Sequence, residues 1–282
     1  MSERKRVVIV GGSTGLGRSI GIGLAQRGAH VALIARTQAK LDSAIAEAGN
    51  DAVAIPADAT DPESAKAGIE AAAAALGGID TLLYAAAVGP IARIEEATAE
   101  QWQNTFATNV IGASLTTAAA LPYVKRSNGN VLYMSTTGAS FTPPWPGLSI
   151  YQVTKAALDR LVESWRAEHP AVNFTRVTIG ECAGGEGDAQ TQFTSGWDMS
   201  LVGEFATSWI TRNFMNMAFI DVGHLTDTFF SLVTAGPSMQ IPAMTIIPRP
   251  ANPDAEENMV ADDPRLADLK ERGIQAATES RS

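Results

Sequence analysis

Short apolar runs alternate along this chain with longer stretches in which alanine-rich apolar positions recur at helical spacing. The runs fall near residues 6–11, 30–35, 52–56, 80–86, 130–135, 173–179 and 242–247, and each has the length of a strand. Strand and helix in alternation predict a βαβ series around a parallel sheet, with right-handed crossovers placing helices on both faces. The expected fold class is α/β: a doubly wound parallel sheet of the Rossmann kind with about seven strands. Such a sheet binds ligands beyond the carboxyl ends of its strands, so chemistry is expected just after each one.

Two segments break the rhythm. Residues 184–217 open glycine-rich and continue with aromatic and methionine side chains, which predicts a lid over a substrate site. From Pro248 onward the chain turns polar and charged, with one short helix expected after Pro264, and reads as a surface arm or partly disordered tail. The expected organisation is one catalytic domain over 1–250, lid included, and a polar tail over 251–282. There is no internal repeat.

Composition narrows the function classes. With 282 residues, 45% of them hydrophobic and 18% charged, the chain can bury a large core. A net charge of -9 argues against nucleic acid or an anionic membrane as partner. The apolar run Val7 to Val10 is too short for a signal peptide or a membrane span, so a cytoplasmic protein is expected. Cys182 is the only cysteine, which excludes an intramolecular disulfide and a cysteine metal cluster. His30, His169 and His224 are scattered without metal-ligand spacing and read as helix-end or surface residues; no metal is expected.

Candidate chemistry begins where Val7-Val8-Ile9-Val10 runs into Gly11-Gly12-Ser13-Thr14-Gly15-Leu16-Gly17 and then into an apolar-periodic helix. Glycines allow a tight turn and close backbone approach, while the helix N-terminus offers free N–H groups to a diphosphate. The second strand ends at Arg36, where a dinucleotide fold meets the adenosine ribose. A guanidinium there forks onto a 2'-phosphate, so NADP is preferred to NAD; an ordinary solvated charge is the alternative. After the third strand, Asp58-Ala59-Thr60 has two readings, as a helix cap or as an acceptor for the adenine amino group.

Tyr151 and Lys155 lie four residues apart in Tyr-Gln-Val-Thr-Lys, on one face of a helix. An ammonium so placed stabilises a phenolate and is expected to pull the tyrosine down from about 10, giving a proton donor usable near neutral pH. The structural alternative is a core tyrosine beside a snorkelling lysine. Against it stand the rigid Pro143-Pro144-Trp145-Pro146-Gly147 loop just before the helix and the position after the fifth strand, where a doubly wound sheet opens its crevice.

Gly11-x-x-x-Gly15-x-Gly17, Asp58, Asn109 in Asn-Val-Ile-Gly, the Ser135-Thr136 strand end and Tyr151-x-x-x-Lys155, in this order and spacing, resemble the short-chain dehydrogenase/reductase family over roughly residues 5–247. The resemblance implies a single Rossmann-type domain, assembled as a homodimer or homotetramer, that moves a hydride between a nicotinamide and a carbonyl or alcohol carbon of a small molecule. It implies Tyr151 as general acid, Lys155 on the nicotinamide ribose, Asn109 holding a water that links the lysine to solvent, and a serine or threonine hydroxyl orienting the substrate oxygen. For that hydroxyl, a gapless alignment selects Thr136 and counting back from Gly138 selects Ser135. A regular strand points only one of them into the site.

The chain also departs from the family. Tyr84-Ala85-Ala86-Ala87 stands where Asn-Asn-Ala-Gly is usual, leaving Ala85 and Ala86 on the cofactor floor without the amides. Val10 replaces the usual threonine, and Gly180-Glu181-Cys182-Ala183 replaces a Pro-Gly near the nicotinamide amide. Trp145, Phe193, Trp197, Trp209 and Phe214, with Met199, Met215 and Met217, are candidates for an apolar pocket suited to a hydrophobic ketone or secondary alcohol, or for plain core. Asp188, Asp198 and Glu181 are read either as ligands for a polar substrate group or as solvated charges. Two other functions fit the same motifs: a nucleotide sensor without catalysis, and an epimerase or dehydratase using the same tyrosine.

Overall fold

The computed structural model describes residues 4–182, 191, 193–212, 214, 218–236 and 238–249. The expected tail over 251–282 lies outside the described residues, as do Asp188, Met215, Met217 and most of the glycine-rich entry to the lid. All seven expected strands form: β1 Arg6–Val10, β2 His30–Ala35, β3 Val53–Pro56, β4 Thr81–Tyr84, β5 Asn130–Thr136, β6 Asn173–Ile179 and β7 Ala243–Ile246. They hydrogen-bond in the order β3-β2-β1-β4-β5-β6-β7, and every pairing is parallel. The winding reverses between β1 and β4, where a crevice opens. His30 opens β2 instead of ending a helix.

The strands read as unbroken apolar runs because both of their faces are covered. Val7 and Ile9 of β1 enter one buried cluster, with α1 (Gly15–Gln26), α2 (Gln38–Ala48) and α9 (Val222–Val233) packed over it. Val8 and Val10 enter the other, beneath α3 (Pro62–Leu76), α5 (Gly112–Arg126) and α7 (Ser149–Glu168). Each large apolar side chain buried this way contributes about 1.5–3 kcal/mol before chain entropy is set against it. Ahead of α5 come α4 (Ala99–Phe106), started by a Thr98/Gln101 capping box, and a π-helical turn over Ala107–Ile111. Two further helices, α6 (Thr137–Ser140) and α8 (Met199–Thr211), stand over the carboxyl ends of β5 and β6. Among the described residues no helix is long and apolar enough to cross a membrane.

At the opposite end of the sheet, Arg6 and Asp80 lock β1 to the chain entering β4. The Asp80 carboxylate accepts from the Arg6 backbone N–H at 2.8 Å, from Nε at 3.0 Å and from Nη2 at 2.6 Å. Burial pushes the Asp80 carboxyl up, but the Arg6 hydrogen bonds and charge outweigh it and hold the group below its ordinary value of 3.8. A carboxyl lowered in the folded state stabilises fully above its unfolded pKa, and the contribution is lost as pH falls through the lower, folded one. Asp80→Asn should therefore reduce stability at pH 7 by about 2 kcal/mol. It should also flatten the stability profile below pH 3.8; chemical denaturation across the acid range would show both effects, and an unchanged profile would remove this pair from the acid response.

Candidate active site

A cavity of about 820 Å³ runs along the carboxyl ends of the strands, from the glycine-rich turn after β1 to the first turn of α7. Gly11 has φ +87°, and a Cβ there would sit 2.5 Å from the Ala86 nitrogen. A Cβ on Gly17 would lie 2.3 Å from the Gly11 carbonyl oxygen. Only glycine permits that approach of the turn to Ala85 and Ala86, which line the cavity with Ser13, Thr14, Gly15 and Leu16. The turn delivers the N-terminus of α1, which no side chain caps, to the cavity wall.

Arg36 lines the cavity beyond β2, followed by Thr37 and Lys40. Sequence reading missed Lys40, although its four-residue spacing from Arg36 at the start of α2 was a usable signal. Beneath it Arg18, only 2% exposed, donates to the Lys40 carbonyl at 3.3 Å, Ser43 Oγ at 3.2 Å and Glu47 at 2.8 Å, fixing α2 against α1. Asp58 and Ala59 form the next stretch of wall. The cap of α3 is Asp61, whose carboxylate accepts from the Ser64 N–H at 2.7 Å, so the capping reading of Asp58 is withdrawn. Asp58 accepts instead from Thr60 N–H at 2.9 Å and Thr60 Oγ1 at 2.7 Å. Burial opposes its ionisation, but these bonds and the Arg36 charge hold it below the ordinary value.

Tyr84 takes up the space left by the missing floor amides. It is fully buried, and its hydroxyl donates to the Thr108 carbonyl in the π-helical turn. A Cβ on Gly112 would fall 2.7 Å from that hydroxyl oxygen. The next residue of the turn, Asn109, is also fully buried and lies behind the cavity wall. Its amide donates to the Val88 carbonyl at 2.8 Å and Thr154 Oγ1 at 2.9 Å, and accepts from the Val88 N–H at 2.9 Å. The Asn109 amide thus ties the floor to α7, with both of its donors engaged.

Tyr151, Lys155, Thr136 and Ser135 meet at the far end of the cavity. Thr136, extended at the end of β5, lines this end of the cavity with Tyr151, and its hydroxyl acts to lower the phenol. Ser135 is turned toward Asp159, and its Oγ is buried without a hydrogen-bond partner. Lys155, 2% exposed, donates to the Met134 carbonyl at 2.6 Å, with Nζ 5.7 Å from the Tyr151 ring centroid. The expected lowering of the tyrosine does not occur. Burial pushes the phenol well up, against the pull of Thr136 and with a smaller push from Asp159, because the ammonium turns to the strand backbone instead of the phenol oxygen. Burial also brings Lys155 down to about 8, against the Asp159 charge.

Aromatic rings close this end. Phe193 meets Tyr151 edge-on at 4.7 Å and Trp197 at 5.3 Å; Trp197 reaches Trp209 at 6.4 Å, and Trp209 reaches Trp145 at 5.6 Å. The Trp197 and Trp209 indoles donate to the Gly89 and Pro146 carbonyls at 2.7 and 2.8 Å, which orients both rings. One expectation is corrected: Met199 is 70% exposed at the start of α8. Phe214 takes the core reading, packed on Trp145 at 6.3 Å outside the cavity wall, and Asp198 the solvent-facing one, capping α8 by accepting from the Ser200 N–H at 2.8 Å. Glu181 does line the cavity, its carboxyl raised by burial. The Cys182 thiol, pushed up to about 12 by burial and by Asp221, is no nucleophile near neutral pH.

A glycine turn beneath a helix N-terminus, at the switch of a parallel sheet and facing a tyrosine–lysine helix, defines a dinucleotide-type site. A family model for short chain dehydrogenases matches residues 5–196, and the chain belongs to that family. It is 33% identical over 163 residues to oxidoreductase asL5 of Sarocladium schorii, covering 57% of this chain and 64% of that protein. It is 34% identical over 185 residues to 11-beta-hydroxysteroid dehydrogenase 1A of Arabidopsis thaliana, covering 62% and 52%. The chain thus spans about half to two thirds of the length of these curated relatives. Among solved structures, the fold is similar to an alcohol dehydrogenase from Thermococcus sibiricus complexed with 5-hydroxy-NADP, with a TM-score of 0.71 at 20% identity over 90% of this chain and 100% of that one. It is also similar to a 3-ketoacyl-(acyl-carrier-protein) reductase from Brucella melitensis complexed with NADH, with a TM-score of 0.72 at 21% identity over 87% and 97%.

Tyr84→Phe removes one oxygen and leaves the Thr108 carbonyl without its donor. The expected loss is about 1–3 kcal/mol, seen as a fall of several degrees in the thermal midpoint. An unchanged midpoint would show that this bond does not hold the floor.

Proposed function

We propose that the protein is an NADP-dependent oxidoreductase that interconverts a carbonyl and a secondary alcohol on a hydrophobic small molecule. The observation that carries this reading is the single continuous cavity joining the glycine turn and Arg36 at one end to Tyr151, Thr136 and Lys155 at the other. Its two ends suit the two ends of a dinucleotide. The uncapped start of α1 favours a diphosphate, and Arg36, Thr37 and Lys40 supply cationic and hydroxyl donors for a 2'-phosphate. The relatives' printed names, dehydrogenase and oxidoreductase, and the nicotinamide nucleotides in the titles of the two solved structures support the same class.

A bound nicotinamide would supply or accept the hydride. The chain's own residues handle the proton and the geometry. Tyr151 is the general acid in reduction, its phenol held protonated near neutral pH by burial, with the Thr136 hydroxyl orienting the substrate oxygen beside it. Lys155 contributes its ammonium to the ribose. Phe193, Trp197, Trp145 and Trp209 exclude water and favour an apolar substrate body. The half-exposed Ile111 and Val153, on the π-helical turn and α7, support a homodimer or homotetramer formed through these elements.

Titration with NADPH and NADH, followed by nicotinamide fluorescence, tests the cofactor assignment. NADPH should bind more tightly, and Arg36→Ala should weaken NADPH about tenfold while leaving NADH nearly unaffected. Preference for NADH would overturn the Arg36 role, and failure to bind any reduced or oxidised form would overturn the oxidoreductase reading. Tyr151→Phe should keep cofactor affinity and lose turnover by about 10²–10⁴-fold on apolar ketones. An unchanged kcat would remove Tyr151 from the reaction.

A further inference from the structure

Behind the tyrosine–lysine pair lies an ionisable side chain that the reaction above leaves unused. Asp159 follows Lys155 by the same four residues by which Lys155 follows Tyr151, so all three occupy one face of α7. It is 5% exposed. Its Oδ2 accepts from Ser140 Oγ at 3.2 Å and pairs with Arg176 Nη1 of β6 at 3.2 Å. Its Oδ1 is buried without a hydrogen-bond partner, as is the Oγ of Ser135 that faces it. An ion pair needed only to join α7 to β6 gains little from such burial, because desolvation cancels most of the attraction.

The lysine supplies the missing reason. An ammonium in a dry interior, hydrogen-bonded only to the neutral Met134 carbonyl, sheds its proton unless a negative charge stands nearby. Asp159 and Tyr151 share its face of α7, while Ser135 of β5, Ser140 of α6 and Arg176 of β6 are turned to Asp159. Asn109 and Thr154 are neutral, Glu181 lies past the end of β6, and α4 gives no residue to the cavity wall. Of these groups only Asp159 acts through its charge to hold Lys155 up against burial.

We propose that Asp159 is a positioning residue for the tyrosine–lysine pair, an internal counter-charge anchored by Arg176 and Ser140 that keeps the buried Lys155 protonated in the working pH range. The proposal rests on the reading of Tyr151 and Lys155 as the proton-handling pair. With the counter-charge present, the ammonium persists through neutral pH. Without it, burial lowers Lys155 further, and the ammonium offered to the ribose is lost at lower pH. Below the Asp159 pKa, which burial raises against the Ser135, Arg176, Ser140 and Lys155 contributions, the counter-charge disappears and so does its effect on Lys155.

The test is a titration of lysine-ε-¹³C-labelled full chain without cofactor or substrate, the Lys155 resonance being assigned through Lys155→Met. Asp159→Asn should lower the Lys155 midpoint by about one unit or more, and Asp159→Glu should keep it near the wild-type value. Should Asp159→Asn fail to fold with Arg176 unpaired, the double variant Asp159→Asn/Arg176→Gln leaves no stranded guanidinium and should move the midpoint the same way by a smaller amount, because the anion removed shares the lysine's helix face while the cation removed with it does not. In NADPH-dependent reduction, the basic limb of kcat should move to lower pH with the midpoint while activity near pH 6 is retained. An unmoved midpoint overturns the proposal, as does a loss of activity equal at every pH. A moved midpoint in a protein that reduces no carbonyl upholds the counter-charge and counts against the oxidoreductase reading alone.

Discussion

The burial of the Lys155 ammonium is the constraint on which the rest of the site depends. At 2% exposure it needs a hydrogen bond from the chain, and β5 supplies it through the Met134 carbonyl. That bond fixes the distance and rotation of α7 relative to the sheet. The same rotation puts Tyr151 with Thr136 at the cavity end and Asp159 beside Arg176 of β6. A one-residue slip of β5 would exchange Ser135 and Thr136 between these two environments, bringing a hydroxyl from the buried side to the phenol. Register, helix rotation and local charge are therefore one problem with one solution, set by where a buried cation finds its acceptors.

The floor of the cavity shows a second route to rigidity. Where amides are usual, this chain has alanines, which let Gly11 and Gly17 pack directly on the β4 exit. Fixing that exit falls to two side chains reaching the π-helical turn from different directions. Tyr84 comes from β4 to the Thr108 carbonyl, and Asn109 returns from the turn to Val88 and Thr154. A π-helical turn widens the helix by one residue, and here it brings neighbouring residues to both contacts. The floor is held by hydrogen bonds one layer below the cavity surface, from Tyr84 and Asn109.

What the sequence made legible follows from how local each signal is. The seven strands could be read because parallel strands covered on both faces are continuous apolar runs, and the glycine turn because its crowding is set by residues six positions apart, Gly11 and Gly17. The Tyr151–Lys155 spacing was legible for the same reason. Its electrostatic outcome was not, since the direction of the tyrosine shift depends on how deeply the helix face is buried and on which acceptor the lysine chooses. Asp159 and Arg176 are separated by 17 positions and meet only because α7 crosses back over β6. The capping choice between Asp58 and Asp61 turned on a three-residue difference in where α3 begins, the kind of boundary that periodicity locates poorly. Met199 was misjudged, and the two readings of Phe214 and Asp198 stayed open, because a stretch rich in aromatic and methionine residues says nothing of which helix side meets the cavity until α8 is docked.

Charge distribution separates the two ends of the cavity in a way the net charge hides. The chain carries -9 overall, so an anionic nucleotide approaches against a repulsive field, and long-range steering cannot supply the affinity. Attraction must come at short range, from Arg36, Lys40 and the α1 N-terminus gathered at one end of the crevice. Salt then has opposing effects: it screens the repulsion on approach and weakens the exposed Arg36 contact once made. The aromatic end is insulated from this balance. Its charges, Lys155, Asp159 and Arg176, are fixed in pairs and networks inside the protein, where mobile ions screen them little. On the proposed reading, the cavity places a salt-sensitive recognition end and a salt-insensitive proton-handling end on the same sheet, joined through the backbone of β1, β4 and β5.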